Sequence, residues 1–524
     1  MWRCGPSHVG SAPGLSSCGP FDLSQGAFFV HCGKIACATL FLGSNRNWHR
    51  LGTRRAAGKV SSSLSLLRSW PKVVDAPWTQ EADARTLSET RTSMALNGHV
   101  DSYYARRNAH EVLFRRLGGT EKAAVCVVGG GLAGLTTARE LASAGTDVVL
   151  LEAERVGWGA SGRNGGFVSA GYAAGLAELE ARLGVDRTRA LYELSRMGVA
   201  YVRETIEAAG AGDIIGGHGW LKVIRHDDAE GMKRRRDLMA GTYGANVEFW
   251  ETERVRATLK TETYFQALHD AGPFHIDPLA YARLLAARAR DAGARIFEES
   301  AATGLTRSGT GWRVETASGA IEAEAVVLAG SAYQALSGLW PSLDRAIVPV
   351  ATYVVTSNAL GSAVTDSIGF SGCIADTRRA GDYYRVVEGD RLLWGGRITT
   401  RRSEPTDLAG LLKADIAAIY PQLSHLEVET AWSGLMAYAV HKMPIIRPLE
   451  EGLWSVTAFG GHGVAQTATG GVLVASALTS GDDRWRQFEP FGPRFAGGPV
   501  GRMGTQLLYW GMQFRDRREE RAAR

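Results

Sequence analysis

Ala123-Ala124-Val125-Cys126-Val127-Val128, followed at once by Gly129-Gly130-Gly131-Leu132-Ala133-Gly134, decides the fold. Six apolar residues without polar alternation predict a strand buried on both faces of a parallel sheet. Leu135 to Ala144 predicts a helix with Leu135, Ala138, Leu141 and Ala142 on one face, and Gly145 stops it. Asp147-Val148-Val149-Leu150-Leu151 predicts a second buried strand that ends in Glu152. Strand, glycine turn, helix, strand and acid in this order form a dinucleotide fingerprint. Gly129 makes the tight turn, Gly131 lets backbone approach a pyrophosphate, and Gly134 lets helix and strand pack closely. Leu132 and Ala133 open the helix, whose unpaired N–H groups and positive dipole end favour phosphate. Glu152, 23 residues after Gly129 and next to Ala153, is placed for ribose hydroxyls, and its charge disfavours a 2′-phosphate.

Two further glycine clusters separate FAD from NAD. Gly157-Trp158-Gly159-Ala160-Ser161-Gly162-Arg163-Asn164-Gly165-Gly166 follows the acidic residue directly. Its backbone N–H groups, the Ser161 hydroxyl and the Arg163 charge suit a pyrophosphate and the ring beyond it, so Gly159, Ala160, Ser161, Arg163, Asn164, Gly165 and Gly166 are candidate cofactor contacts. Near the other end, a strand over Leu453–Ala458 precedes Phe459-Gly460-Gly461-His462-Gly463 and a helix from Val464 to about Leu478. Gly460, Gly461, Gly463 and Val464 thereby offer a second helix start. A nicotinamide enzyme has no reason to return to its cofactor more than 300 residues later, whereas an extended FAD does. Val326-Val327-Leu328-Ala329-Gly330 predicts another buried strand whose end, Ala329 and Gly330, approaches the cofactor.

Composition bounds the partners. The net charge of +5 is uneven: residues 1–93 hold 11 Lys and Arg against 5 Asp and Glu, leaving 48 against 49 in the rest. A near-neutral body gives no electrostatic case for nucleic acid. Cys4, Cys18, Cys32 and Cys37 lie in residues 1–93 and lack CxxC spacing, so no metal site is expected. Only Cys126 and Cys373 follow, which suits a reducing compartment and a cytoplasmic location. No stretch reaches the roughly 18 apolar residues of a membrane span. Residues 1–97 read as an irregular leader with three explanations: a transit peptide, a disordered arm, or sequence upstream of a true start at Met94, which is preferred.

The stretch Gly157–Gly166, Asp382-Tyr383-Tyr384-Arg385 followed by Arg391-Leu392-Leu393-Trp394-Gly395-Gly396, and Gly461-His462-Gly463-Val464 resemble the D-amino-acid oxidase/sarcosine oxidase superfamily, and within it the γ-glutamylputrescine oxidases. Ser102-Tyr103-Tyr104-Ala105, His275–Leu279 and Met443-Pro444 agree, so the resemblance spans roughly residues 100–520. It implies an α/β fold: a discontinuous Rossmann-type FAD domain over 98–210, 275–335 and 433–524, interleaved with an antiparallel-sheet substrate domain over 211–274 and 336–432. It also implies hydride transfer from a substrate C–H beside an amine nitrogen to FAD. The imine is then hydrolysed to an aldehyde and ammonia, and O2 is reduced to H2O2.

Several residues are candidates for that chemistry. Lys442 and His441 precede Met443-Pro444 and are expected to line the active site, favouring a neutral amine or an anionic substrate end. Arg385, with Tyr383 and Tyr384, offers a fork for a substrate carboxylate; an edge-strand aromatic pair with a solvated Arg is the alternative. His462 reads either as a general base or as a spacer whose backbone N–H matters, and the spacer is preferred. Relatives place an oxygen-activating lysine at about Leu393, which leaves open a dehydrogenase passing electrons to a quinone or carrier. Phe167 replaces a glutamine after the Asn-Gly-Gly. Neither Cys126 nor Cys373 suits covalent attachment, so FAD is expected to be non-covalent.

Overall fold

The computed structural model describes residues 98–108, 113–378, 381–401 and 403–522. The expected leader over 1–97, Met94 included, lies outside the described residues. Two sheets organise the rest. The first runs Ile445–Glu450, Leu453–Thr457, Gly319–Leu328, Gly119–Val128, Val148–Leu151, Arg295–Phe297. Its four inner pairings, from Leu453–Thr457 to Arg295–Phe297, are parallel. This is the doubly wound arrangement the fingerprint predicts. The helix begins at Leu132 rather than Leu135 and ends at Ser143, because Gly131 already serves as its N-cap. The helix predicted from Val464 spans Gly463–Ser480 and packs against it: a Cβ at Gly471 would lie 2.6 Å from the Thr136 side chain. Val127, Leu135, Leu141, Leu150, Val474 and Ala468 share the apolar core between these layers.

The second sheet runs Val428–Ala439, Ile347–Ser357, Arg391–Thr399, Tyr383–Val387, Cys373–Asp376, Ile215–Val223, Ala267–Ile276, Phe167–Val168. All its pairings are antiparallel except that of Cys373–Asp376 with Ile215–Val223. Its far face carries a separate core around Tyr264, Tyr384, Trp394, Leu412 and Tyr420. Three details cut across the expected segment boundaries. Residue 433 falls inside the strand Val428–Ala439. Phe167–Val168, within the expected segment 98–210, pairs in the second sheet. The C-terminal helix Gly498–Ala522 hydrogen-bonds through Gln506 to Thr399 and Thr400 of that sheet rather than joining the first. No described helix is long and apolar enough to cross a membrane.

Candidate active site

The strand Gly119–Val128 ends in a turn that only glycine allows. Gly129 has φ +114°, and a Cβ there would lie 2.8 Å from the Ala329 carbonyl oxygen. A Cβ on Gly134 would lie 2.0 Å from the Gly129 oxygen, so the helix sits directly on the turn. No side chain of Gly131 caps the helix; instead the Leu132 N–H donates to Ser161 Oγ at 3.0 Å. Glu152 accepts from the Gly130 N–H at 2.6 Å and the Glu154 N–H at 2.9 Å. Burial pushes its carboxyl up to about 7 against the pull of those donors.

The second glycine cluster folds on itself. Asn164 donates its side-chain amide to the Ala160 and Ser161 carbonyls and accepts from the Gly166 N–H. Arg163 donates to the Trp158 carbonyl and lies 4.3 Å over the Trp158 ring. The third cluster is a left-handed turn, with Ala458, Gly460 and Gly461 all at positive φ, which delivers the uncapped N-terminus of the helix Gly463–Ser480. All three clusters face one cavity of about 460 Å³. A profile of the family described as FAD dependent oxidoreductase (DAO) matches residues 124–477, which hold all three. The chain belongs to this family.

The chain is 32% identical over 392 residues to gamma-glutamylputrescine oxidoreductase of Escherichia coli K12, covering 74% of this chain and 91% of that protein. It is 30% identical over 403 residues to a probable oxidoreductase OrdL of Haemophilus influenzae, covering 76% and 92%. The solved structure of glycine oxidase from Geobacillus kaustophilus superposes with a TM-score of 0.60 at 24% identity, covering 71% of this chain and 98% of that one, a likeness of fold. The cavity of this FAD-dependent oxidoreductase fits the cofactor on its own terms. Two helix N-termini open on it, the first bridged at Leu132 by the Ser161 hydroxyl and the second without a side-chain cap, where N–H groups suit a pyrophosphate and an anionic ring edge. Backbone rather than Cβ lines it at Gly131, Gly165 and Gly461.

Of the residues singled out in the sequence, Gly131–Ala133, Ala160–Ser161, Arg163–Gly165, Ala329, Gly460–Gly461 and Gly463–Val464 line the cavity. Gly129, Gly134, Glu152, Gly159, Gly166 and Gly330 lie behind its wall and shape the turns, and Ala153 is exposed. His462 lines the cavity as the N-cap residue of its helix. Burial, reinforced by the Lys222 charge, holds its imidazole down at about 4, so it is neutral at physiological pH.

The other three candidates are corrected. Strand alternation turns Tyr384 away from the cavity: it is buried, stacks on Trp394 at 4.2 Å and hydrogen-bonds to Tyr264 and Tyr420. Arg385 is neither a solvated edge residue nor a free fork. Its buried guanidinium donates to His275 Nδ1, the Tyr104 hydroxyl and the Ile276 carbonyl. His275 in turn donates Nε2–H to the Ser371 carbonyl, and burial beside Arg385 keeps it neutral. A larger cavity of about 600 Å³ on the Arg385–His275 side holds none of the three glycine clusters. The helix start that reaches it, Asp277 before Pro278–Asp291, is already capped, its carboxylate accepting the Leu279 and Ala280 N–H groups. Lys442 stands outside, in an exposed ion pair with Glu178, because Ala439 to Lys442 turn at the sheet edge. Lys442→Ala therefore changes kcat/KM by less than about twofold and stability by less than about 1 kcal/mol, read by steady-state kinetics and thermal unfolding.

What the sequence reading missed is the far wall. Trp220 and Lys222 share one face of the strand Ile215–Val223, while Leu221 and Val223 enter the core on the other. Tyr383 is wedged over glycine: a Cβ on Gly395 would lie 2.1 Å from its ring, and one on Gly165 2.6 Å. This gives the Gly395-Gly396 pair a physical purpose. Phe167 meets both Trp220 and Tyr383 edge to face. Beneath this wall Arg225 and Arg378 each bridge Asp376 and Asp382, and Glu520 of the C-terminal helix faces both arginines. Periodicity marks Trp220 and Lys222 as one face of a strand; nothing in the sequence says which face meets the cofactor cavity.

Proposed function

We propose that this oxidoreductase oxidises the carbon–nitrogen bond of a small amine or amino acid, with γ-glutamylputrescine as the best single substrate, yielding an aldehyde, ammonia and H2O2. One observation carries the reading: the cavity that joins both helix starts also runs to an aromatic pocket holding a neutral imidazole. The likeness to gamma-glutamylputrescine oxidoreductase supports the substrate. Bound FAD supplies the two-electron acceptor for a C–H next to nitrogen. Gly131–Ala133 and Gly463–Val464 would hold its phosphates and ring edge, and Phe167, Trp220 and Tyr383 exclude water from the substrate side. The substrate nitrogen must be uncharged for the neighbouring C–H to leave as hydride. His462, whose imidazole is held down at about 4, is too weak a base to take that proton, so its part is the spacer's: its backbone opens the helix Gly463–Ser480. The first sheet with 98–210, 275–335 and the strands after Ile445 is assigned to FAD, and the second sheet to substrate. A cytoplasmic location agrees with the sparse cysteines after residue 93.

A second reading, a dehydrogenase delivering electrons to a quinone or carrier, rests on Leu393. It stands where the resemblance places an oxygen-activating lysine, and it is buried against Tyr104, Val354 and Trp432. A screen of γ-glutamylputrescine, sarcosine, glycine and D-amino acids decides between them. We expect flavin bleaching with γ-glutamylputrescine and peroxide formed in step with it. Bleaching followed by dye reduction without peroxide selects the dehydrogenase, and bleaching by none of them rejects amine oxidation.

A further inference from the structure

Four basic side chains reach the substrate end of the cavity or its floor, and they differ in one respect. Arg225 and Arg378 are saturated by Asp376 and Asp382. Lys222 and Arg235 line the cavity and form no ion pair with a carboxylate among the described residues. Lys222 lies 4.1 Å over the Trp220 ring, and its ammonium makes no hydrogen bond to an oxygen acceptor among the described residues. Asp270 is the acid that attracts it, from beyond ion-pair distance, and the Asp270 carboxylate already accepts from the Gly272 N–H. Arg235 projects from the helix Ala229–Tyr243, and its charge repels that of Lys222. Arg235 is exposed and Lys222 half-buried, so water screens part of their repulsion, and an anion entering between them gains two cationic partners that no carboxylate holds among the described residues.

We propose that Lys222 and Arg235 form the subsite for a carboxylate on the substrate, so that the enzyme selects amines that also carry an acid group. The inference rests on the cavity being the amine site, and it reassigns to these two residues the role the sequence suggested for Arg385. A carboxylate offers the paired acceptor oxygens that a guanidinium fork and an ammonium satisfy together. The neighbouring acids Asp376, Asp382 and Glu520 are engaged by Arg225 and Arg378, which offset most of their charge. His462, the nearest titratable group on the helix-start side, is uncharged.

The test uses the flavin-loaded enzyme and two readouts. Perturbation of the flavin spectrum is titrated with butanoate and with butyramide, the same shape without charge. Butanoate should bind roughly 10- to 100-fold more tightly in the native enzyme, and this ratio should fall to about one in the Lys222→Met/Arg235→Met double variant. The kcat/KM for γ-glutamylputrescine relative to putrescine should fall over a similar range. Arg235→Glu, on a largely exposed helix, should push both ratios below those of Arg235→Met, and Arg235→Lys should restore part of them. Equal binding of butanoate and butyramide by the native enzyme, or ratios that survive the double variant, would overturn the subsite. Butanoate binding that depends on both residues in an enzyme oxidising no amine would keep the subsite and reject the amine oxidation itself.

Discussion

Gly134→Ala should yield protein with at least about tenfold less bound flavin and a stability loss of about 3 kcal/mol or more. The added Cβ would lie 2.0 Å from the Gly129 carbonyl oxygen and 3.3 Å from the Ala329 Cβ. Neither neighbour yields cheaply, since one is backbone inside the glycine turn and the other hangs from the end of the adjoining parallel strand. The helix Leu132–Ser143 must move off the turn, and its first N–H groups then lose their aim at the cavity. The flavin-to-protein absorbance ratio and thermal unfolding read the two effects. Gly504→Ala is the control, a helix glycine with nothing within 4 Å, where alanine should stabilise by about 0.5–1 kcal/mol. Retention of flavin and melting temperature by Gly134→Ala would mean that close helix–turn packing is not what binds the cofactor.

Arg385→Met should cost about 3–5 kcal/mol of stability and leave substrate choice alone. The guanidinium ties together three elements distant in sequence: Tyr104 near the start, His275 and Ile276 at the end of one strand, and its own strand. Removing it leaves a buried imidazole nitrogen, a phenol and a carbonyl without their donor. Arg385→Lys should rescue little, because one ammonium cannot reproduce a planar fork on three acceptors. Thermal unfolding measures the loss. The ratio of kcat/KM for γ-glutamylputrescine over putrescine should stay within about twofold in the folded fraction. An unchanged melting temperature with selective loss of the acidic substrate would return Arg385 to the carboxylate-binding role.

The difference between these two arginine and glycine cases explains what was legible. A glycine required by a turn announces itself, because its neighbours in sequence are also its neighbours in space: strand, turn and helix over residues 123–144 are one continuous object. The same holds for the helix start at Gly463 and for the folded loop of Arg163 and Asn164. Tyr383, Tyr384 and Arg385 show the limit. Three adjacent residues of one strand face the cavity, the opposite core and a buried polar clamp respectively, and only the partners of that strand distinguish them.

By itself, the sequence determined the parallel sheet, the three glycine clusters and the cofactor they hold, since each depends on backbone geometry set over a few residues. It also placed Phe167 and His462 next to those clusters. Only the tertiary structure decided that Lys442 pairs with Glu178 at the surface, that Arg385 is a clamp, and that Lys222 and Arg235 line the same cavity as Phe167 and Tyr383. The physical reason is that the substrate wall is built from strands and a helix separated by up to about two hundred residues. Its composition follows from sheet register and face, which pairing between distant segments fixes.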